Sequence, residues 1–225
     1  YINPIFKPLP TTIIALLSFL ACLAFGNHVL MHLPSIDFRA YKIGDNLIEN
    51  MSTPKDAPKA IQEFTWVFNV NGEEEIIVTD GSYPTIEGDY VSVETKVIDE
   101  GYQPSILDFS IESEEEDLTD EFLAQDKLIM IVCFNLETSE KEGLLKLKAL
   151  SKKAQSKGYT VIGISASGKD AISYVNETYG LDFEFYLCDE KALKTVVRSN
   201  PGVLELNRGT VQQKVHWKDI ENLDL

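Results

Sequence analysis

The side chains able to do nucleophilic or redox chemistry are few: three cysteines (Cys22, Cys133, Cys188) and three histidines (His28, His32, His216) in 225 residues. A thiol attacks or ligates only as the thiolate, and the motifs that use it set two cysteines within a few residues of each other. No two of these cysteines are so placed. Zinc and iron-sulfur sites are therefore not expected, nor is any other cofactor. Cys133 lies inside an apolar run and Cys188 directly follows one; both read as buried small hydrophobes, with thiol chemistry as the alternative. His28 and His32 stand at i and i+4, the spacing of a metal-ligand pair, but with no third ligand nearby in sequence they read as residues at a membrane surface. Ser165 and Ser167 follow a strand without matching the Gly-x-Ser-x-Gly elbow of hydrolases, and Gly163 and Gly168 make no phosphate loop. The acidic run 112–117 lacks the glycine and spaced oxygens of a calcium loop and reads as a solvated loop.

The elements that would position any chemistry centre on Leu128 to Gly158. Leu128 to Phe134 is an unbroken apolar run of strand length, as a strand buried on both faces requires. Asn135 to Thr138 breaks it, and Ser139-Glu-Lys-Glu142 has the form of a capping box, predicting a helix that starts at Ser139. Leu144, Leu147, Leu150 and Ala154 then form one apolar stripe, and Lys157-Gly158 marks the end.

This unit resembles the thioredoxin-like superfamily, in the branch of membrane-tethered TlpA-type redoxins and AhpC-type peroxidases. In that pattern a Cys-x-x-Cys begins five residues after the strand aromatic. Aligned on Phe134, the two cysteines fall on Ser139 and Glu142, neither of which exchanges disulfides. The resemblance implies the fold and argues against the usual activity. It also implies a cis-proline before the penultimate strand, a position held here by Pro201, beside which an extended peptide pairs.

The rest of the C-terminal half agrees with that order. Asp108 to Ile111 reads as a first strand, 120–124 as a short helical turn, and Tyr159 to Ser165 as a second buried strand. Ser167 reads as the cap of a helix carrying Ala171, Ile172, Val175 and Tyr179 and stopped by Gly180. Phe183 to Leu187 is a short strand, and Asp189 caps a helix with Ala192, Leu193, Val196 and Val197. Strand-helix alternation predicts parallel pairing; Val203 to Leu206 and Val211 to Val215, joined by Asn207-Arg-Gly209, then add a hairpin that makes the sheet mixed.

Upstream, Thr11 to Leu33 carries no Asp, Glu, Lys or Arg, and about 20 apolar residues suffice to cross a bilayer. It reads as a transmembrane helix entered through Pro8 and Pro10. A signal peptide with Lys7 as its basic region is the rival reading, against which no small-x-small cleavage site follows the run. Residues 34–62 read as a linker, rich in Pro, Asp, Asn and Ser. Residues 63–104 read as a small β-meander: Phe64, Trp66, Phe68 and Val70 alternate with more polar positions, Asn71-Gly72 signals a hairpin before Ile76 to Val78, and Val91 to Ile98 is a further strand. Trp66 is expected in its core.

A transmembrane segment ending in Leu-Pro, then Phe38-Arg-Ala-Tyr-Lys-Ile-Gly44, a small β module and a thioredoxin-like end resemble the C-terminal part of Bacteroidetes-type DoxX family membrane proteins. That resemblance implies a bacterial inner-membrane location and, by helix parity, a periplasmic C-terminal part. The charges flanking the apolar run, Lys7 against Arg39 and Lys42, point the other way. DoxX relatives are linked to quinone-coupled sulfur oxidation and oxidative stress.

The formal net charge of −16 disfavours a nucleic-acid partner, since a phosphate backbone is held by Lys and Arg. The expectation is therefore a flank (1–10), a transmembrane helix (11–33), a linker, a β module and an α/β thioredoxin-like domain (105–225). Its redox site is degenerate at Ser139, Glu142 and Pro201, and its role is non-catalytic, in binding or assembly, with a protein or peptide as the partner at that site. The alternative is a thiol-disulfide or peroxide oxidoreductase using Cys133 and Cys188.

Overall fold

A computed structural model of the chain describes residues 8–34 and 36–225. The uncharged N-terminal stretch forms α1 (Pro8–Met31). Its large apolar side chains, Ile13, Leu16, Leu17, Phe19 and Phe25 among them, face outward on every side, as a helix solvated by lipid requires. The span Pro10–Val29 has the length and composition to cross a membrane, which fit a signal sequence equally well. Lys7, invoked for both the signal-peptide reading and the charge count, lies outside the described residues.

The described residues form two compact units, 51–105 on one hand and, on the other, those up to Asn50 together with 106–225. The smaller unit is a three-stranded antiparallel sheet of β1 (Ile61–Val70), β2 (Glu73–Thr79) and β3 (Asp89–Asp99). Asn71 and Gly72 both have positive φ, the two-residue turn the sequence predicts between β1 and β2. The strand order β2-β1-β3 is not a meander. After β2 the chain passes to the far edge of β1, and Tyr83 in the connection lies against Trp66 and Phe68. Phe68 is buried there edge-on to Tyr83 and Tyr90. Trp66 packs among Phe64, Tyr83 and Tyr90, its indole N–H donating to Thr79 Oγ1.

The larger unit does not begin with a loose linker. Tyr41 and Leu47, the latter in the short α2 (Leu47–Met51), are buried. Backbone hydrogen bonds join Gly44, Asp45 and Leu47 to Gly209 and Val211, and Asn46 Nδ2 donates to Arg208 O and Thr210 Oγ1. The polar composition that reads as linker is thus used for docking. Residues 108–111 form no strand; Glu112 makes only isolated bridges to Asp117 and Leu187. A short α3 (Thr119–Leu123) precedes the central strand.

From there β4 (Leu128–Val132), α4 (Lys141–Ser156), β5 (Thr160–Ser165), α5 (Lys169–Tyr179), β6 (Glu184–Leu187), α6 (Glu190–Val196), β7 (Gly202–Asn207) and β8 (Thr210–His216) follow in order, closed by a 3-10 turn (Trp217–Asn222). The sheet order is β6-β5-β4-β7-β8, with β4, β5 and β6 parallel and β7 and β8 antiparallel to their neighbours. Every residue of β4 is buried, which explains its continuous apolar run. Leu144, Leu147, Leu150 and Ala154 of α4 pack over it, each leucine contributing about 1.5–3 kcal/mol by burial. A mixed sheet in this order, two βαβ crossovers and a terminal hairpin are the thioredoxin-like fold.

Two helix caps differ from expectation. The cap of α4 is Glu140, with no side-chain bond to a backbone amide, so Ser139 and Glu142 form no capping box. The cap of α5 is Gly168; Ser167 Oγ instead accepts from Leu136 N at 2.9 Å. Asp189 caps α6 as predicted, accepting from Ala192 N.

Candidate functional site

The register brings four segments to one edge of the large sheet. Val132 pairs with Gly202 and Gly202 with His216. The loop after β4, the turn before β7 and the end of β8 are therefore neighbours, and α4 starts over them. The peptide bond Asn200-Pro201 is cis, and Pro201 is buried under α4. Gly143 is what lets it lie there: a Cβ at that position would stand 2.7 Å from Pro201 Cδ and 3.0 Å from Trp217 Cβ. Gly143 sits on the buried face of an otherwise ordinary amphipathic helix, so its role was not visible in the periodicity.

Ser139 holds the position where the resemblance puts the first cysteine. Its Oγ lies 2.9 Å from Asn135 O and 3.0 Å from Asn200 Oδ1, so its one hydrogen serves one acceptor at a time. Asn200 Nδ2 donates to Asn135 O at 2.7 Å, and Glu140 N donates to Asn200 O at 2.8 Å. The loop after β4 and the cis-proline turn are thus sewn together by neutral hydrogen bonds. Glu142 is exposed in the first turn of α4, where a carboxylate is favoured by the helix dipole, and takes no part in the network.

Cys133 and Cys188 are not brought together. Cys133 follows β4 and Cys188 follows β6, with β5 between them; two strand spacings are about 10 Å, beyond disulfide reach. Both are free thiols and buried. Burial pushes the Cys133 thiol up to about 12, against a hydrogen bond with Ser139 that acts the other way. Burial likewise pushes Cys188 up to about 11, against backbone hydrogen bonds at Ser110 and Asp189. Neither is poised to form a thiolate at neutral pH.

A groove of about 720 Å³ opens beside this network. It is lined by Thr138, Glu140 and Glu142 at the start of α4, by Lys194, Arg198 and Asn200 between α6 and the cis-proline, and by His216, Trp217 and Lys218 at the end of β8. Lys194 lies over the Phe134 ring and Lys218 over the Trp217 ring. Burial lowers His216 from its ordinary value, favouring the neutral ring, and its Nδ1 accepts from Lys218 N. Met31, the last residue of α1, reaches the groove too. His32 explains why: its Nδ1 is 2.8 Å from Asp219 Oδ2 on the 3-10 turn, its ring stacks on His28 at 4.7 Å and stands 6.5 Å from His216. The fold thus gathers all three histidines, which sequence spacing could not show. Among the described residues, however, no group of three or more His, Cys, Asp or Glu side chains is arranged to hold a metal ion.

No family model matches the chain, and no curated protein does. Solved structures similar to it include a thiol:disulfide interchange protein from a Bacteroides species (12% identity, 48% of this chain and 77% of that one, TM-score 0.38). A putative thiol:disulfide interchange protein DsbE from Chlorobium tepidum aligns with 10% identity over 48% and 80% of the two chains, TM-score 0.39. Reduced Prx3 with hydrogen peroxide from Vibrio vulnificus gives 9% identity, 48% and 80%, and a TM-score of 0.38. At such identities and scores the fold assignment rests on the strand order and directions described above, and nothing about activity follows from the likeness.

Proposed function

We propose that this chain is a membrane-anchored thioredoxin-like module that binds an extended protein or peptide segment in the groove beside Pro201 and catalyses no redox reaction. The observation that carries this reading is the Ser139, Asn135, Asn200 and Glu140 network: at the first position expected of a dithiol it offers hydrogen bonds that hold two loops together, and neither Ser139 nor the exposed Glu142 can exchange electrons. The burial of Cys133 and Cys188 supports it, since a thiol inaccessible to solvent and raised to about 12 or 11 is a poor nucleophile. α1 is the anchor in this reading, with the larger unit on the periplasmic side of a bacterial inner membrane, as the resemblance to the C-terminal part of DoxX family proteins implies.

The test is insulin reduction and peroxide turnover by the full chain in detergent, beside a Cys133→Ser, Cys188→Ser variant. The expected result is no turnover above buffer in either protein. Turnover by the wild type that the variant loses would replace this reading with that of an oxidoreductase using displaced thiols.

A further inference from the structure

Basic side chains outnumber acidic ones in the lining of the groove, although the chain as a whole holds 36 acidic against 20 basic side chains. Lys194, Arg198 and Lys218 line it together with His216, whose burial favours the neutral ring. Its two carboxylates, Glu140 and Glu142, sit at the cap and first turn of α4, where the helix dipole already offsets negative charge. Arg198 is exposed and, among the described residues, makes no hydrogen bond, ion pair or ring contact. An unpaired guanidinium in a groove is a ready fork for a carboxylate. Lys194 is shared with Glu190 at 2.7 Å on the exposed side of α6, and Lys218 lies against Met31 Sδ at the end of α1.

Resting on the binding role proposed above, we infer that the groove selects an acidic extended segment, its carboxylates directed to Arg198, Lys194 and Lys218. Because Met31 lines the same groove, the partner presents its acidic stretch close to where α1 ends. Charge complementarity of this kind sets specificity and the rate of encounter more than raw affinity.

The test uses the full chain in detergent and three labelled Gly/Ser/Val peptides that differ only in carrying two Glu, two Gln or two Lys. The Glu peptide is expected to bind about tenfold tighter than the Gln peptide, with a preference that shrinks as salt rises. Arg198→Glu, at an exposed position without partners, is expected to erase that preference, while Lys152→Glu on the exposed face of α4 leaves it. Equal binding of the Glu and Gln peptides, or tighter binding of the Lys peptide, overturns the acidic specificity and leaves the binding role standing. No binding of any of the three overturns both.

Discussion

Two polar networks fasten irregular chain to the large sheet, one neutral and one charged. The first is the set around Ser139 and Asn200. The second lies on β8, where Lys214, 4% exposed in its side chain, donates to Asp37 Oδ2 at 2.6 Å, Tyr41 O at 2.7 Å and Val196 O at 3.0 Å. Arg39 joins it, donating to Asp37 through Nε at 2.9 Å and to Thr195 O through Nη1. Burial would push the Asp37 carboxyl up, but hydrogen bonds from Arg39 and Lys214 outweigh it and hold the group well below the usual carboxylate range. Burial lowers Lys214, with Asp37 acting against it. A neutral network loses only its hydrogen bonds when one member is removed; a charged one is left with an ion out of water. The first can therefore be changed to probe function, whereas the second fixes structure.

The largest expected effect tests that contrast. Asp37→Ala leaves Lys214 buried and unpaired and is expected to cost about 3–5 kcal/mol in urea unfolding, while Asp37→Leu with Lys214→Met recovers most of it. An Asp37→Ala cost no larger than that of Ser139→Ala would break the comparison. Next comes Gly143→Ala, whose methyl group meets Pro201 and Trp217; about 1–3 kcal/mol is expected from overpacking, together with weaker peptide binding as the groove wall shifts. Ser139→Ala removes one neutral donor and is expected to cost about 1 kcal/mol, with no change in redox turnover.

Acid sharpens the same contrast. A carboxyl depressed in the folded state contributes stability that is full above its unfolded value, about 4, and is lost as pH falls through its folded value. The stability advantage of wild type over Asp37→Asn should accordingly be flat near neutrality and shrink below about pH 4, while that over Ser139→Ala stays constant. The smallest effect concerns the thiols. In native protein in detergent a water-soluble disulfide reagent near neutral pH should leave Cys133 and Cys188 unmodified, both reacting only after unfolding; rapid reaction of Cys133 in the native state would reopen thiol chemistry beside Ser139.

Much of the large sheet was legible because its signals are strong and local. A run as apolar as Leu128 to Val132 has one place in an α/β fold, and the leucine stripe of α4 can bury itself only against it. Caps were less legible. Ser139, Ser167 and Asp189 all precede helices, yet only Asp189 caps one, because the two serines have partners distant in sequence: Asn200 for Ser139 and the Leu136 amide for Ser167. The Asn71-Gly72 turn declares that β1 and β2 pair, but nothing in the sequence declares which edge β3 takes. The site was legible in Ser139 and Pro201 through the resemblance. Gly143, Asn200 and Arg198 were not, since close approach, bridging and unpaired charge are properties of the assembled fold.

Asp37 lies six positions beyond Met31, and from there to Asn50 the chain is committed to β8 and its hairpin, while His32 is fastened to Asp219. Little slack is left for the larger unit to swing on α1. A long flexible tether would let a domain sweep a wide volume, at an effective concentration that falls as the tether lengthens; a mount this short removes that search. If α1 is the anchor, a partner must come to the groove at one height above the bilayer, and two-dimensional diffusion of the anchored protein, in place of motion of the domain, sets how often they meet.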